Sequence, residues 1–226
     1  MIQIPVVTID GPSGSGKGTI AQLLADELSW HLLDSGALYR VLAYAAQQQD
    51  ISIEAESNAL ISLAEELPVS FSTIDADTHA MLDGQTVEAY IRTETAGNAA
   101  SKVAAMPAVR LALLNRQRNF AQAPGLVADG RDMGTTVFPD APAKMFLTAS
   151  VEDRAQRRHK QLKQKGIDAN FRALSEEIAE RDARDANRAA SPLRPADDAL
   201  LLDSSGLTIE QVLQKAKEFL LEKEVI

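Results

Sequence analysis

Residues 4–20 read IPVVTIDGPSGSGKGTI: an apolar β-branched run, a glycine-crowded loop, then the start of a helical repeat. Ile4 to Ile9 suits a buried strand, and Ile20, Leu23, Leu24 and Leu28 fall at helical spacing. A strand that turns through glycines straight into a helix is a βα unit, and such units build parallel sheets covered by helices. The loop holds Gly11, Gly14, Gly16 and Gly18, four of the chain's 12 glycines, and satisfies G-x-x-x-x-G-K at Gly11, Gly16 and Lys17. Glycines let backbone N–H groups form a concave nest, the helix N-terminus adds partial positive charge, and Lys17 can bridge the outer phosphates of a nucleotide. Gly11, Pro12, Ser13, Gly14, Ser15, Gly16, Lys17, Gly18 and Thr19 are therefore expected to hold nucleotide phosphates, those of ATP. A generic loop of this kind has its hydroxyl directly after the lysine. Here Gly18 stands there and Thr19 follows, which weakens a direct carry-over of the magnesium-ligand role.

The rest of the chain repeats the alternation. Trp30 to Leu33 is a candidate strand, and Leu38, Val41, Leu42 and Ala45 mark a second helix. Leu60, Leu63, Ala64 and Leu67 mark a third. From Pro68 the texture changes: VSFSTI, THAMLD and QTVE read as three short strands, with turns at Asp75–Asp77 and Asp83–Gly84. That predicts a small antiparallel lobe inserted at about 67–92. Helical pattern returns from Thr93 and from Pro107. GLVAD (125–129) and AKMFLTA (143–149) read as strands, and Glu152 to Lys165 as a basic helix broken by Gly166. A further helix reaches about Asp185, ALLLD (199–203) is a strand, and a last helix starts at Thr208. The predicted fold is α/β, a parallel sheet with helices on both faces, in one domain over 1–226.

With 226 residues, 45% of them hydrophobic, the chain can bury one sizeable core. It has no cysteine, hence no disulfide, thiolate metal site or cysteine nucleophile. The N-terminal MIQIPVVTID reads as a strand rather than a signal peptide, and no apolar run approaches membrane-span length. A soluble cytoplasmic protein is expected. The net charge of −9 argues against general nucleic-acid binding, and RRHK (157–160) lacks the aromatic-rich basic surface such binding uses. Basic density from Arg154 to Arg188 in an acidic chain points instead to a small anionic ligand.

An apolar strand ending in an acid places Asp129 beside the loop, near a magnesium ion. N-K-x-D, the base-reading motif of GTPases, does not occur. What the sequence offers is arginine in short polar motifs: Ser35 and Arg40 in DSGALYR, Arg131 and Asp132 in GRDMGTTVFPDA, and Arg181, Arg184, Asp185 and Arg188 in RDARDANR. GRDMG follows a strand at its carboxyl end, where open α/β sheets bind ligands. Arg181, Arg184 and Arg188 share a face if their helix persists. Two polyanions must meet for phosphoryl transfer, and guanidinium forks match phosphate oxygens in pairs. No strong base is needed for an acceptor that is already anionic. His31, His79 and His159 share no motif and are expected at structural or surface positions. The residues themselves leave open other acceptors (adenylate, uridylate, a non-nucleotide alcohol) and a switch that binds ATP without transfer.

Taken together, IDGPSGSGKGT, WHLLDSGALYR, NAASKVAAMPAVR, PGLVADGRDMGTTVFPDA and RDARDANR resemble, in order and over essentially the full length, the blocks of the bacterial cytidylate kinases. The resemblance implies the nucleoside monophosphate kinase fold, a P-loop NTPase-type core with a substrate lobe and a short lid, the lid at 154–167. It implies ATP as phosphoryl donor, Mg2+ as cofactor, CMP and dCMP as acceptors, and a monomer. By motif, Ser35, Arg40, Arg131 and Arg188 hold the acceptor phosphate. Arg181 and Asp185 meet the ribose, and Ser101, Arg110 and Asp132 read the cytosine. Arg157 and Arg158 reach ATP phosphates, Lys17 acts with Arg131 and Arg188 in catalysis, and Thr19 and Asp129 serve the metal, Asp129 through water. In that family the Gly18–Thr19 order is ordinary.

Overall fold

The structure is a computed structural model that describes residues 4–74, 77–164 and 166–226. Residues 1–3 of the expected first strand, Asp75 and Ala76 of the expected turn and Lys165 of the basic helix lie outside the described residues. The chain divides into two compact units, residues 1–33 with 118–226, and residues 34–117.

In chain order the elements begin with β1 (Val6–Asp10), α1 (Lys17–Leu28), β2 (His31–Asp34), α2 (Ser35–Gln48) and α3 (Asn58–Glu66). There follow β3 (Val69–Ile74), β4 (Asp77–Leu82), β5 (Gln85–Thr86), α4 (Glu88–Ile91), α5 (Glu94–Val103) and α6 (Pro107–Arg118). After β6 (Leu126–Gly130) comes a π-helical turn, Met133–Val137, and then β7 (Ala143–Thr148), α7 (Val151–Gln164), α8 (Phe171–Asn187), β8 (Leu200–Asp203) and α9 (Ile209–Glu222).

The larger unit is built on a sheet of order β2-β6-β1-β7-β8, with β1 parallel to both β6 and β7 and β7 parallel to β8. All five residues of β1 are buried, as a central parallel strand covered on both faces requires. Val7, Ile9, Val127, Met145 and Leu147 of the sheet pack with Ile20 and Leu24 of α1 and with Val212, Phe219 and Leu220 of α9. Register sets the functional edge. Asp10 pairs with Gly130 on one side and Phe146 on the other, so β1, β6 and β7 end nearly level. The segments leaving those ends are the glycine loop, GRDMG and the start of α7.

In the other unit α2 packs on α3 and α5, and β3, β4 and β5 form an antiparallel sheet in that order. The third expected strand, QTVE, is shorter than its composition suggests. Glu88 turns into α4, and its carboxylate accepts from Ala80 N at 3.1 Å, replacing a strand neighbour with a side chain. The π-turn was invisible to periodicity for a comparable reason. Asp10, more than 120 positions away, accepts from Met133 N and Gly134 N at 2.8 Å each, while Phe138 N reaches Met133 O at 2.7 Å. The helix carrying RDARDANR stops at Asn187, and Arg188 is extended at φ −64, ψ 142. Arg188 therefore does not continue a helical face with Arg181 and Arg184.

Candidate active site

The glycine loop leaves β1 through Gly11, whose φ is 149 and whose absent Cβ would lie 1.9 Å from Leu147 O. Only glycine lets the chain pass β7 this closely. Gly16, at φ 93, is the N-cap of α1. It supplies no capping side chain, and the first turn of the helix carries no acid. A helix start with no capping side chain and no acid in its first turn is the arrangement that suits an anion. Lys17 is buried, donates to Pro12 O at 3.3 Å and lies 3.7 Å from Asp129 Oδ1. The expected neighbourhood of loop and Asp129 is therefore present. Gly18 has a local reason: a Cβ there would meet Asp129 Oδ2 at 3.1 Å. Thr19 lies exposed in the first turn of α1.

Beside the loop, at the end of β6, Arg131 donates to Asp185 Oδ2 at 2.9 Å and to Gly130 O at 3.2 Å. Arg188 lies 3.6 Å from Asp132 Oδ1 and donates through Nε to Ser191 O. Asp132 and Asp185 are buried. Burial opposes ionisation of Asp185, but Arg131, Arg181 and Arg188 outweigh it and hold the carboxyl below its usual range. Four of the residues expected to bind substrate in this unit, Arg131, Asp132, Asp185 and Arg188, thus form two interleaved ion pairs, and Arg181 faces the same carboxylate electrostatically. Arg157 donates to Ser15 O at 3.3 Å, to Ser204 Oγ at 3.2 Å and to Ser204 O at 2.6 Å. Arg158, on the same helix, donates to Gln161 Oε1 at 3.4 Å.

The remaining expected residues belong to the unit of residues 34–117. Ser35 donates to Gln117 Oε1 at 2.8 Å. Arg110 is buried, donates to Ala104 O at 3.1 Å and lies over the Tyr39 ring, 5.7 Å from its centroid. Ser101 is buried on α5. Arg40 donates to Asp34 Oδ2 at 3.1 Å, and Arg92 donates to the same oxygen at 2.9 Å. Burial resists charge on Asp34, but the two arginines and the Ala37 N–H hold its carboxyl down at about 2.

Sequence reasoning missed Asp10, Asp34, Arg92, Asp182 and Ser204. Asp10 and Asp34 had a usable signal, since each ends an apolar strand just before a motif already singled out. Asp182 lies inside RDARDANR, but nothing there pointed to Arg154, and Ser204 had no signal, because its partner lies in a distant segment.

A central βα unit with a glycine loop, a buried lysine at the following helix and an acid on the adjacent parallel strand defines a P-loop kinase core. Within that class the chain belongs to the cytidylate kinase family, whose model matches residues 7–221. It is 60% identical over 209 residues to a cytidylate kinase of Aeromonas salmonicida (strain A449), covering 92% of this chain and 90% of that one. It is 61% identical over 221 residues to one of Shewanella frigidimarina (strain NCIMB 400), covering 97% and 96%. Among solved structures it is similar in fold to an uncharacterized protein from Eubacterium ventriosum ATCC 27560, at TM-score 0.52 and 10% identity, covering 97% of this chain and 99% of that one.

Proposed function

We propose that this chain transfers the γ-phosphoryl group of ATP to CMP and dCMP, giving ADP with CDP or dCDP, in pyrimidine nucleotide metabolism. One observation carries the reading: the family match spans 7–221 and includes a loop whose lysine and facing acid, Lys17 and Asp129, are in place.

In this reading an oxygen of the acceptor phosphate attacks the γ-phosphorus, and the bond to the bridging oxygen of ADP breaks. The loop N–H groups and Lys17 hold the β and γ phosphates, and Lys17 follows the charge as it moves toward the leaving oxygen. Arg131 and Arg188 grip the acceptor phosphate, and Ser35 and Arg40 are assigned to the same phosphate by their motif. Their present carboxylate partners keep the guanidiniums ordered until a phosphate competes for them. Asp185 and Arg181 meet the ribose, while Arg157 and Arg158 approach the donor phosphates from α7. For magnesium, the donor set is hard oxygen, the Thr19 hydroxyl and the Asp129 carboxylate, and Gly18 brings backbone close to Asp129, since a Cβ there would lie 3.1 Å from Oδ2. No cluster of three or more His, Asp or Glu forms a metal cage among the described residues, and magnesium on nucleotide phosphates needs only one or two carboxylates. Thr19 and Asp129 would hold the ion, which would supply positive charge against the donor phosphates. The proposal includes a cytoplasmic monomer without a nucleic-acid partner. Among the described residues no helix is long and apolar enough to cross a membrane.

Cytosine offers an amino donor where uracil offers an acceptor, and a buried carboxylate accepts from the first and repels the second. Asp132 is assigned that task, and by their motif Arg110 and Ser101 are assigned as donors to N3 and O2. The test is turnover with ATP, magnesium and each nucleoside monophosphate in turn. CMP and dCMP are expected to be the preferred acceptors, and the CMP-to-UMP ratio of kcat/KM should fall at least tenfold in Asp132→Ala. Equal turnover of all monophosphates by the parent would refute the reading.

A further inference from the structure

A loop that presents N–H groups to an anion must put its carbonyls elsewhere, and buried carbonyls need donors. Three such carbonyls in the glycine loop are bound. Lys17 takes Pro12 O at 3.3 Å, Arg154 Nη1 takes Ser13 O at 3.1 Å, and Ser204 Oγ takes Ser15 O at 2.8 Å, a carbonyl that Arg157 Nη1 reaches at the longer distance of 3.3 Å. Arg154 is 3% exposed and Ser204 2% exposed, so neither donor has water as a substitute partner. Arg154 is itself seated. Its Nη atoms meet Asp182 Oδ1 and Oδ2 at 3.0 and 2.5 Å, and its Nε reaches Ala149 O at 3.0 Å. Ser204 is fixed by its own N–H, which donates to Thr148 O at 2.8 Å. The supports leave the carboxyl ends of β7 and β8, the strands beyond β1 in the sheet order, with Asp182 added from α8.

We propose that Arg154, held by Asp182, and Ser204 are positioning residues for phosphoryl transfer. They bind the peptide carbonyls of the phosphate loop and thereby fix the direction of its N–H groups. The proposal rests on the reading that this loop binds ATP. Loss of either support loosens a peptide plane, with only the longer Arg157 contact left on Ser15 O when Ser204 is removed, so the cost falls on the donor nucleotide and spares the acceptor.

The test uses the whole enzyme as Ser204→Ala and Asp182→Asn, with KM for ATP and for CMP, kcat, calorimetric affinity for ATP, and the unfolding midpoint of each. Ser204→Ala is expected to weaken ATP about 3- to 10-fold, as loss of one buried hydrogen bond implies, with KM for CMP held within about twofold and Ser204→Thr restoring ATP affinity. Asp182→Asn should shift in the same direction. A merely structural role would lower kcat through lost active protein and leave both KM values alone. The proposal is overturned if Ser204→Ala folds and binds ATP like the parent, or if both KM values rise equally. Lys17→Ala, run alongside, separates the two ideas. If it alone is impaired, positioning fails and the loop reading stands. If it also behaves like the parent, the loop reading fails and takes the proposal with it.

Discussion

Asp10 ends β1 buried among acids, and its neighbours explain its behaviour. Burial pushes its carboxyl up to about 7, the Gly134 and Met133 N–H groups pull the other way, and Asp132 and Asp129 add to the rise. A carboxyl raised on folding stabilises the protein fully below its unfolded value, and that contribution is lost as pH climbs toward the folded one. Between pH 4 and 7 Asp10 therefore makes stability fall with rising pH. Asp10→Asn cannot ionise, so its stability, measured by urea unfolding, should be flatter across that window than the parent's. An unchanged slope would mean that another group sets it. Lys17 is the complementary residue, a buried cation whose partners are a carbonyl and a carboxylate. Lys17→Ala should fold and lose on the order of 10²-fold or more in kcat, because the charge it offsets is largest in the transition state. A folded variant with near-parent kcat would end that role.

At the scale of elements, the arginine motifs act through geometry as much as charge. Arg131 sits where β6 ends and Arg188 where α8 has just ended, and each faces a buried carboxylate across a different element. Lysine keeps the charge and loses the fork. Arg131→Lys and Arg188→Lys should each lower kcat/KM for CMP about tenfold or more with little change in KM for ATP. Parent-like turnover of CMP by both would remove them from the acceptor clamp. Asp34 does a similar task for α2, capping its N-terminus through Ala37 N at 2.7 Å while gathering Arg40 and Arg92. Its carboxyl is held down at about 2, so the stability it contributes is present above pH 4 and lost as pH falls toward 2. Asp34→Ala removes a cap and the carboxylate of Arg40, while Arg92 keeps Glu88, and should cost about 2 kcal/mol in chemical unfolding near pH 7. Every strand and long helix was legible as a type from periodicity, because burial on a parallel sheet or a helix face writes itself into local spacing. The π-turn at Met133–Val137 and the one-turn α4 were not. The turn depends on a distant carboxylate, Asp10, and the helix on a long-range contact of its own first residue, Glu88, whose carboxylate turns back to β4.

For the whole molecule, the site was legible as motifs and much less so as contacts. The glycine loop, Lys17 and Asp129 could be placed together because parallel β1 and β6 bring their ends level. Arg154 with Asp182, and Ser204 with Ser15, join segments far apart in sequence, and nothing in either segment announces the other. The two compact units also divide the expected residues. The phosphate loop lies in one, while Ser35, Arg40, Ser101 and Arg110 lie in the other. If donor and acceptor use different residues, each should stabilise the fold through its own set. At 100 times its Kd, a ligand that binds only the folded protein adds about 2.7 kcal/mol. For a chain of this size that is roughly 5–11 °C in unfolding midpoint. ATP with magnesium and CMP should each raise the midpoint of the parent by such an amount. Lys17→Ala should lose most of the ATP shift and keep the CMP shift, and Asp132→Ala should do the reverse. Scanning calorimetry of the three proteins with each ligand, at fixed ligand concentrations set from the parent's Kd values, reads this directly. If either substitution removed both shifts equally from a protein that still folds, donor and acceptor would not be bound by separable sets of residues, and the assignment of Lys17 to one and Asp132 to the other would have to be abandoned.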